Sequence, residues 1–285
     1  MVKLFLVLSL LVTFSFGGDV KEKSKPAVKQ DLLELKIKNL LSPKSYKRNK
    51  NLIKVIFRNK SAYYKNSRVN SLKVARALKR NGLLKLFFRD PKNIKLNFKT
   101  NGTPLFFVKI MGDSLRNIGY YRYVTHASSL DESEFSWSIV LKAESVTDPF
   151  VLEKELRKSR CHIVDISRVS ATEWSYSVDI SKAVLNVNKL VSGRKVEIKR
   201  AHYAQWLNVS RIKKLVVVSN ERNRWYPSIV YYDRSLHILK VVRKDRVLKK
   251  IVLKIPSNAR YMKLADLYTM KNIHDELVLY PKGRR

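Results

Sequence analysis

The spacing of apolar residues changes along this chain, and each change predicts a different kind of element. Over residues 31–41 the apolar positions Leu32, Leu33, Leu35, Ile37, Leu40 and Leu41 suit a short helix that must end before Pro43. LIKVIF at 52–57 alternates weakly and reads as a strand. A second helix follows, with Ser71 as its cap, Leu72, Val74, Ala75, Leu78 and Leu83 on one side, and the Asn81-Gly82 pair as its stop. Its lysines and arginines fall on the other side, so the region 31–92 is basic and mainly helical.

The middle of the chain is the most regular. NIKLNFKT at 93–100 alternates as a half-buried strand does, Asn101-Gly102 turns, and Pro104 opens a helix carrying Leu105, Phe106, Val108, Ile110, Met111, Leu115 and Ile118 until Gly119. YYRYVTH (120–126) and EFSWSIVLKA (134–143) read as two strands joined by the acidic turn LDES. Asp148 caps a helix with Pro149 in its first turn and Val151, Leu152 and Leu156 on its face, ending near Cys161. HIVDISRV (162–169) and WSYSVDI (174–180) add two strands. The order β-α-β-β-α-β-β over 93–182 predicts an α+β unit, a ferredoxin-like βαββαβ domain with an added strand.

Beyond residue 183 the pattern shortens. RKVEIK, YAQWLNV, KKLVVVS, SIVYYD, LHILKVV, LKKIVLKI and RYMKLADLY are rich in Val, Ile and Tyr and are separated by turn residues, which predicts an antiparallel β-sandwich, jelly-roll-like, over 183–285. MKNIHDEL near the end is the one stretch there that suits a helix. In YPSIVYYD, Ile229 and Tyr231 share one face and Val230 and Tyr232 the other.

Charge sharpens this division. The net charge of +36 is unevenly spread: residues 18–92 hold 22 Lys/Arg against 5 Asp/Glu, residues 93–182 hold 12 against 11, and residues 183–285 hold 24 against 7. A general taste for lysine would raise all segments together, so the basic flanks around a neutral middle point to an anionic partner. Candidate contacts are Arg243, Lys244, Arg246, Lys249, Lys250 and Lys254.

The opening MVKLFLVLSLLVTFSFGG has one lysine, an uncharged apolar run over 4–16, and small residues at Ser15 and Gly17, the pattern of a cleavable signal peptide cut after Gly17. That run is short of the roughly 20 residues a spanning helix needs. Residues 18–30 are polar and lysine-rich without a period and read as a flexible basic arm. The expected location is therefore periplasmic or secreted. There the polyanions are phospholipid and lipopolysaccharide head groups, peptidoglycan carboxylates and acidic proteins, and nucleic acid is not expected as a partner.

Catalytic signatures are sparse. His126, His162, His202, His237 and His274 are scattered, without the paired spacing of a zinc helix. Ser114 lacks a glycine-flanked elbow, eight glycines leave no phosphate loop, and Asp131, Glu132 and Glu134 crowd one turn. The single cysteine, Cys161, reads as a buried hydrophobe and rules out an internal disulfide. No enzyme, metal or cofactor is expected. The aromatic residues Tyr203, Trp206, Trp225, Tyr226 and Tyr232, in the basic C-terminal segment, are candidates for stacking on sugars or anchoring a partner.

Two family resemblances add to this. Residues 93–166, with the helix end SLRNIGYY and the helix DPFVLEKELRKSR, are similar in strand order to sporulation-related repeat domains, which implies peptidoglycan binding. YPSIVYYDRSLHILK with IPSNARYMKLADLY resembles prepeptidase-type and galactose-binding-like sandwiches, which implies an accessory or adhesive module. The lysine-rich, glycine-poor style resembles uncharacterised periplasmic proteins of epsilonproteobacteria. Together these readings give an exported, non-enzymatic scaffold or adaptor with peripheral contact to the envelope, or alternatively a peptidoglycan- or carbohydrate-binding module.

Overall fold

In the computed structural model, residues 31–199 and 202–283 are described. The expected leader at 1–17 and arm at 18–30 lie outside the described residues. From Leu32 onward the chain forms one unit, a mixed α+β structure dominated by sheets.

The basic N-terminal region is helical because its apolar residues recur at helical spacing. Helix α1 (Leu32–Leu40) buries Leu33, Ile37 and Leu40 in one stripe. Helix α2 (Pro43–Arg48) starts at the Ser42 hydroxyl, which accepts from the Ser45 amide, with Pro43 in its first turn. The strand expected at 52–57 is instead helix α3 (Lys50–Ile56). Ile53 and Phe57, four residues apart, are its buried pair, while Val55 is exposed, so the helical period won over a weak alternation. A two-stranded ribbon, β1 (Tyr64–Lys65) and β2 (Arg68–Val69), closes through Asn66 and Ser67, both at positive φ as a tight hairpin requires. Helix α4 (Ser71–Arg80) is capped one residue earlier than expected: the Asn70 side chain accepts from the Lys73 amide, and Ser71 is buried within the first turn.

The next sheet is built on β3 (Phe87–Thr100), which begins six residues before its sequence pattern does. After helix α5 (Pro104–Asn117) come β4 (Val124–Leu130), β5 (Phe135–Ser145), helix α6 (Pro149–Lys158), β6 (His162–Arg168) and β7 (Glu173–Asp179). Strand β4 starts later than the 120–126 stretch suggested. The Tyr120 amide is spent closing α5 on the Leu115 carbonyl, and Tyr123 turns edge-on to Trp137. The strand order is β4-β5-β3-β7-β6. In a split βαβ unit the fourth strand lies beside the first, but here β7 takes that place, parallel to β3, with β6 outside it. Alternate residues, Leu96 and Phe98 on β3, Ile139 on β5 and Tyr176 on β7, join Phe107, Met111 and Leu115 of α5 and Leu152 and Leu156 of α6 in the first core.

The remaining strands are β8 (Asn188–Lys189), β9 (Val196–Ile198), β10 (Gln205–Asn208), β11 (Ile212–Ser219), β12 (Pro227–Tyr232), β13 (Ile238–Arg243), β14 (Lys250–Lys254), β15 (Tyr261–Asp266) and β16 (Leu277–Gly283). They form a five-stranded sheet, β13-β12-β15-β10-β8, and a four-stranded sheet, β14-β11-β16-β9. Ile229, Tyr231 and Leu264 from the first and Leu215, Val217 and Leu279 from the second share the other hydrophobic core. The helix suggested by MKNIHDEL reduces to a single turn at Met270–Asn272. The buried Asp266 carboxylate holds that turn by accepting from Tyr268 N, Thr269 N and Asn272 Nδ2, and the chain then extends into β16.

Among the described residues no helix is long and apolar enough to cross a membrane.

Candidate functional site

Strand alternation sorts the candidate aromatic residues before any ligand is considered. Trp225 is a correction: it is fully buried in the C-terminal core, and its Nε1 donates to the Ala265 carbonyl at 3.0 Å, so it offers no face to a sugar. Trp206 and Tyr232 point away from that core, since their neighbours Leu207 and Tyr231 fill it. Their rings stack at 5.0 Å and 27°. That outward face is covered by the other half of the molecule. Lys109 of α5 lies 5.0 Å from the Trp206 ring, and Tyr261 on the same face belongs to the first core, 6.4 Å from Phe106 of α5. The two rings, both half-buried, therefore join the cores. Tyr226 meets Tyr268 edge-on at 5.1 Å, and Tyr203 is 71% exposed beneath the Arg116 guanidinium.

The candidate cations separate as well. Lys249 is committed to the fold: its ammonium donates to the carbonyls of Glu221 and Asn223, pinning the turn between β11 and β12. Arg243, Lys244 and Arg246 lie at the end of β13 and in the loop after it, exposed. Lys250 and Lys254 are exposed on β14, on the face opposite the buried Leu253. Register then brings in two residues that the sequence did not single out. Lys214 on β11 is directly opposite Lys254 on one side and Lys282 of β16 on the other. Their signal is present in the alternation of IKKLVVVS and LVLYPKG, but strand order is what makes them neighbours.

The groups capable of chemistry are tied into the fold. At a cleft of about 1220 Å³ lined by Lys36 and Asp165, Lys36 and the buried Ser71 both donate to the same Asp165 oxygen, Lys36 at 2.7 Å, so the carboxylate is charge-paired and holds the Ser71 hydroxyl in place. Glu153 accepts from the Ile163 amide at 2.7 Å and from Arg157 at 2.8 Å, with His162 Nδ1 at 3.3 Å. Asp131 organises its acidic turn by accepting from the Ser133 and Glu134 amides. Burial, with Asp179 and Glu153 nearby, pushes the Cys161 thiol up to about 12, which keeps it protonated and unreactive. Among the described residues no three His, Cys, Asp or Glu side chains gather as a metal site.

No protein-family model, no curated protein and no solved structure matches this chain.

Proposed function

We propose that the chain is an exported, non-enzymatic scaffold or adaptor that binds a partner in the cell envelope, with its basic flanks resting on an anionic surface or an acidic protein. In this reading residues 1–17 are the leader, residues 93–182 are a ferredoxin-like unit with an added strand, and residues 183–285 are an antiparallel, jelly-roll-like sandwich. The observation that carries it is where charge is and is not neutralised. Several carboxylates of the neutral middle are spent on internal pairs, Asp165 with Lys36, Glu173 with Lys95 at 3.1 Å, Glu134 with Lys99 at 2.6 Å and Glu155 with Lys158 at 2.5 Å. Arg243, Lys244, Arg246, Lys250 and Lys254 have no ion-pair partner among the described residues. Unpaired cations grouped in one half of a chain supply an attraction that acts over roughly a Debye length and weakens with salt.

Retention of the purified protein on envelope fractions at rising ionic strength tests this. Release by salt supports the reading, and retention indifferent to salt sinks its electrostatic part. Mass measurement of the protein recovered from cells tests the export step, with loss of the first seventeen residues expected.

A further inference from the structure

Strand β11 pairs with β14 on one side and β16 on the other, and the registers place Lys254, Lys214 and Lys282 in one row across three adjacent strands. Strands lie about 4.8 Å apart, so the row roots three lysines within roughly 10 Å of backbone width. All three are exposed and none has an ion-pair partner among the described residues. Like charges directly opposite on neighbouring strands weaken a sheet. Two residues further along the same face runs an apolar row, Val252–Val216–Tyr280, in which Val252 is 53% and Tyr280 43% exposed. Two further again, Lys250 stands beside Val218, so cations flank the apolar row at both ends on β14.

We propose that this outer face of the four-stranded sheet docks on an anionic phospholipid bilayer. The lysines meet lipid phosphates, and Val252, Val216 and the Tyr280 ring rest at the boundary between head groups and acyl chains. Two features of the face favour a bilayer over a soluble polyanion. It sets a row of cations beside a row of apolar side chains, which matches the layering of head group and hydrocarbon at a membrane surface. It carries a single aromatic ring, which gives a nucleic-acid strand no platform of successive bases to stack on. Lipid phosphates also offset the repulsion along the lysine row, which no protein carboxylate on β14 or β16 does.

The inference rests on the anionic-surface reading and narrows it to one ligand and one face. Its test is flotation of the full chain with vesicles of equal parts phosphatidylglycerol and phosphatidylcholine, against vesicles of phosphatidylcholine alone. Binding to the mixed vesicles only, released by salt, is expected. The combined Lys214→Thr, Lys254→Thr and Lys282→Thr variant keeps strand-forming residues and is expected to lose about fivefold in partitioning per lysine, roughly 100-fold in all. Removing the same charge from the neutral middle, by Arg122→Thr, Lys142→Thr and Lys154→Gln, all exposed, is expected to cost far less. Acylation of lysines in the unmodified chain gives a readout that needs no variant to fold: vesicles should protect Lys214, Lys254 and Lys282 and leave Lys240 on β13 reactive. Equal losses in the two triple variants, absence of protection, or equal binding to neutral vesicles overturns the docking face while the anionic-surface reading stands. Failure to bind mixed vesicles, with salt-sensitive retention on envelope fractions, overturns the lipid assignment alone, and failure on both removes both readings. Tighter binding of an oligonucleotide or polyphosphate through the same lysines replaces the bilayer with a soluble polyanion.

Discussion

Trp206 of β10 and Tyr232 of β12 stack at 5.0 Å and 27° from either side of β15, on the face that meets helix α5. This contact, with Lys109 above the indole, is where the C-terminal strands grip the rest of the molecule. Trp206→Ala is expected to destabilise the protein by about 3 kcal/mol, the usual cost of truncating a large, well-packed ring. Chemical denaturation followed by Trp fluorescence measures it, and an unfolding transition split in two would show the cores uncoupled. A change of less than about 0.5 kcal/mol would mean that the stack is a surface ornament.

Tyr231 is fully buried in the C-terminal core, and its hydroxyl has no hydrogen-bond partner among the described residues. Burial pushes its ionisation well above the ordinary phenol value. An unsatisfied buried hydroxyl costs free energy that its removal restores. Tyr231→Phe is therefore expected to stabilise the protein by about 1 kcal/mol, read as a rise in the midpoint of thermal unfolding. A fall in midpoint would reveal a partner for the hydroxyl.

Cys161 is buried at the end of α6, and its thiol, held near 12, stays protonated at any physiological pH. A thiol reagent at neutral pH should leave the native protein unlabelled and modify it at once in denaturant. Rapid labelling of the native state would place the end of α6 among the parts that open locally.

Glu173 accepts from Asn97 at 3.0 Å and from Lys95 at 3.1 Å, and these bonds hold its carboxyl below the ordinary value of 4.5. A lowered folded-state value means stability that is full above about 4.5 and is lost as pH falls through the folded value. Thermal stability should therefore decline on acidification below about pH 4.5, and more shallowly in Glu173→Gln. Parallel profiles for the two proteins would assign the acid sensitivity to other carboxylates.

Gly102 turns the chain from β3 into α5 with Ile180 pressed against it, so that a Cβ there would overlap the Ile180 side chain. Gly102→Ala is expected to cost about 1–3 kcal/mol by overpacking, measured by urea denaturation. The double variant Gly102→Ala with Ile180→Val should recover part of that loss.

Much of the secondary structure was legible in the sequence. The helices at Pro104 and Pro149 begin where Pro sits in the first turn, and Asp148 caps the second by accepting from the Phe150 amide at 2.9 Å. The split of YPSIVYYD into a buried Ile229 and Tyr231 and an outward Val230 and Tyr232 followed from alternation alone. Over residues 52–57 the expected strand gives way to a helix because six residues are too few to separate the two by period. The two-residue strand β8 carries too little pattern to notice.

What the sequence by itself determined was local: where most elements begin, which side of each is apolar, and how lopsided the charge is. Spacing and caps act within a few residues, and composition needs no fold. Tertiary structure decided everything that depends on which strands are neighbours. It put β7 rather than β6 beside β3, turned Trp206 and Tyr232 from exposed candidates into a joint between two cores, and spent Lys249 on holding a turn. It also lined up Lys254, Lys214 and Lys282, which lie far apart along the chain. Strand order and register are set by long-range pairing and shared burial, and neither leaves a mark in the spacing of any one segment.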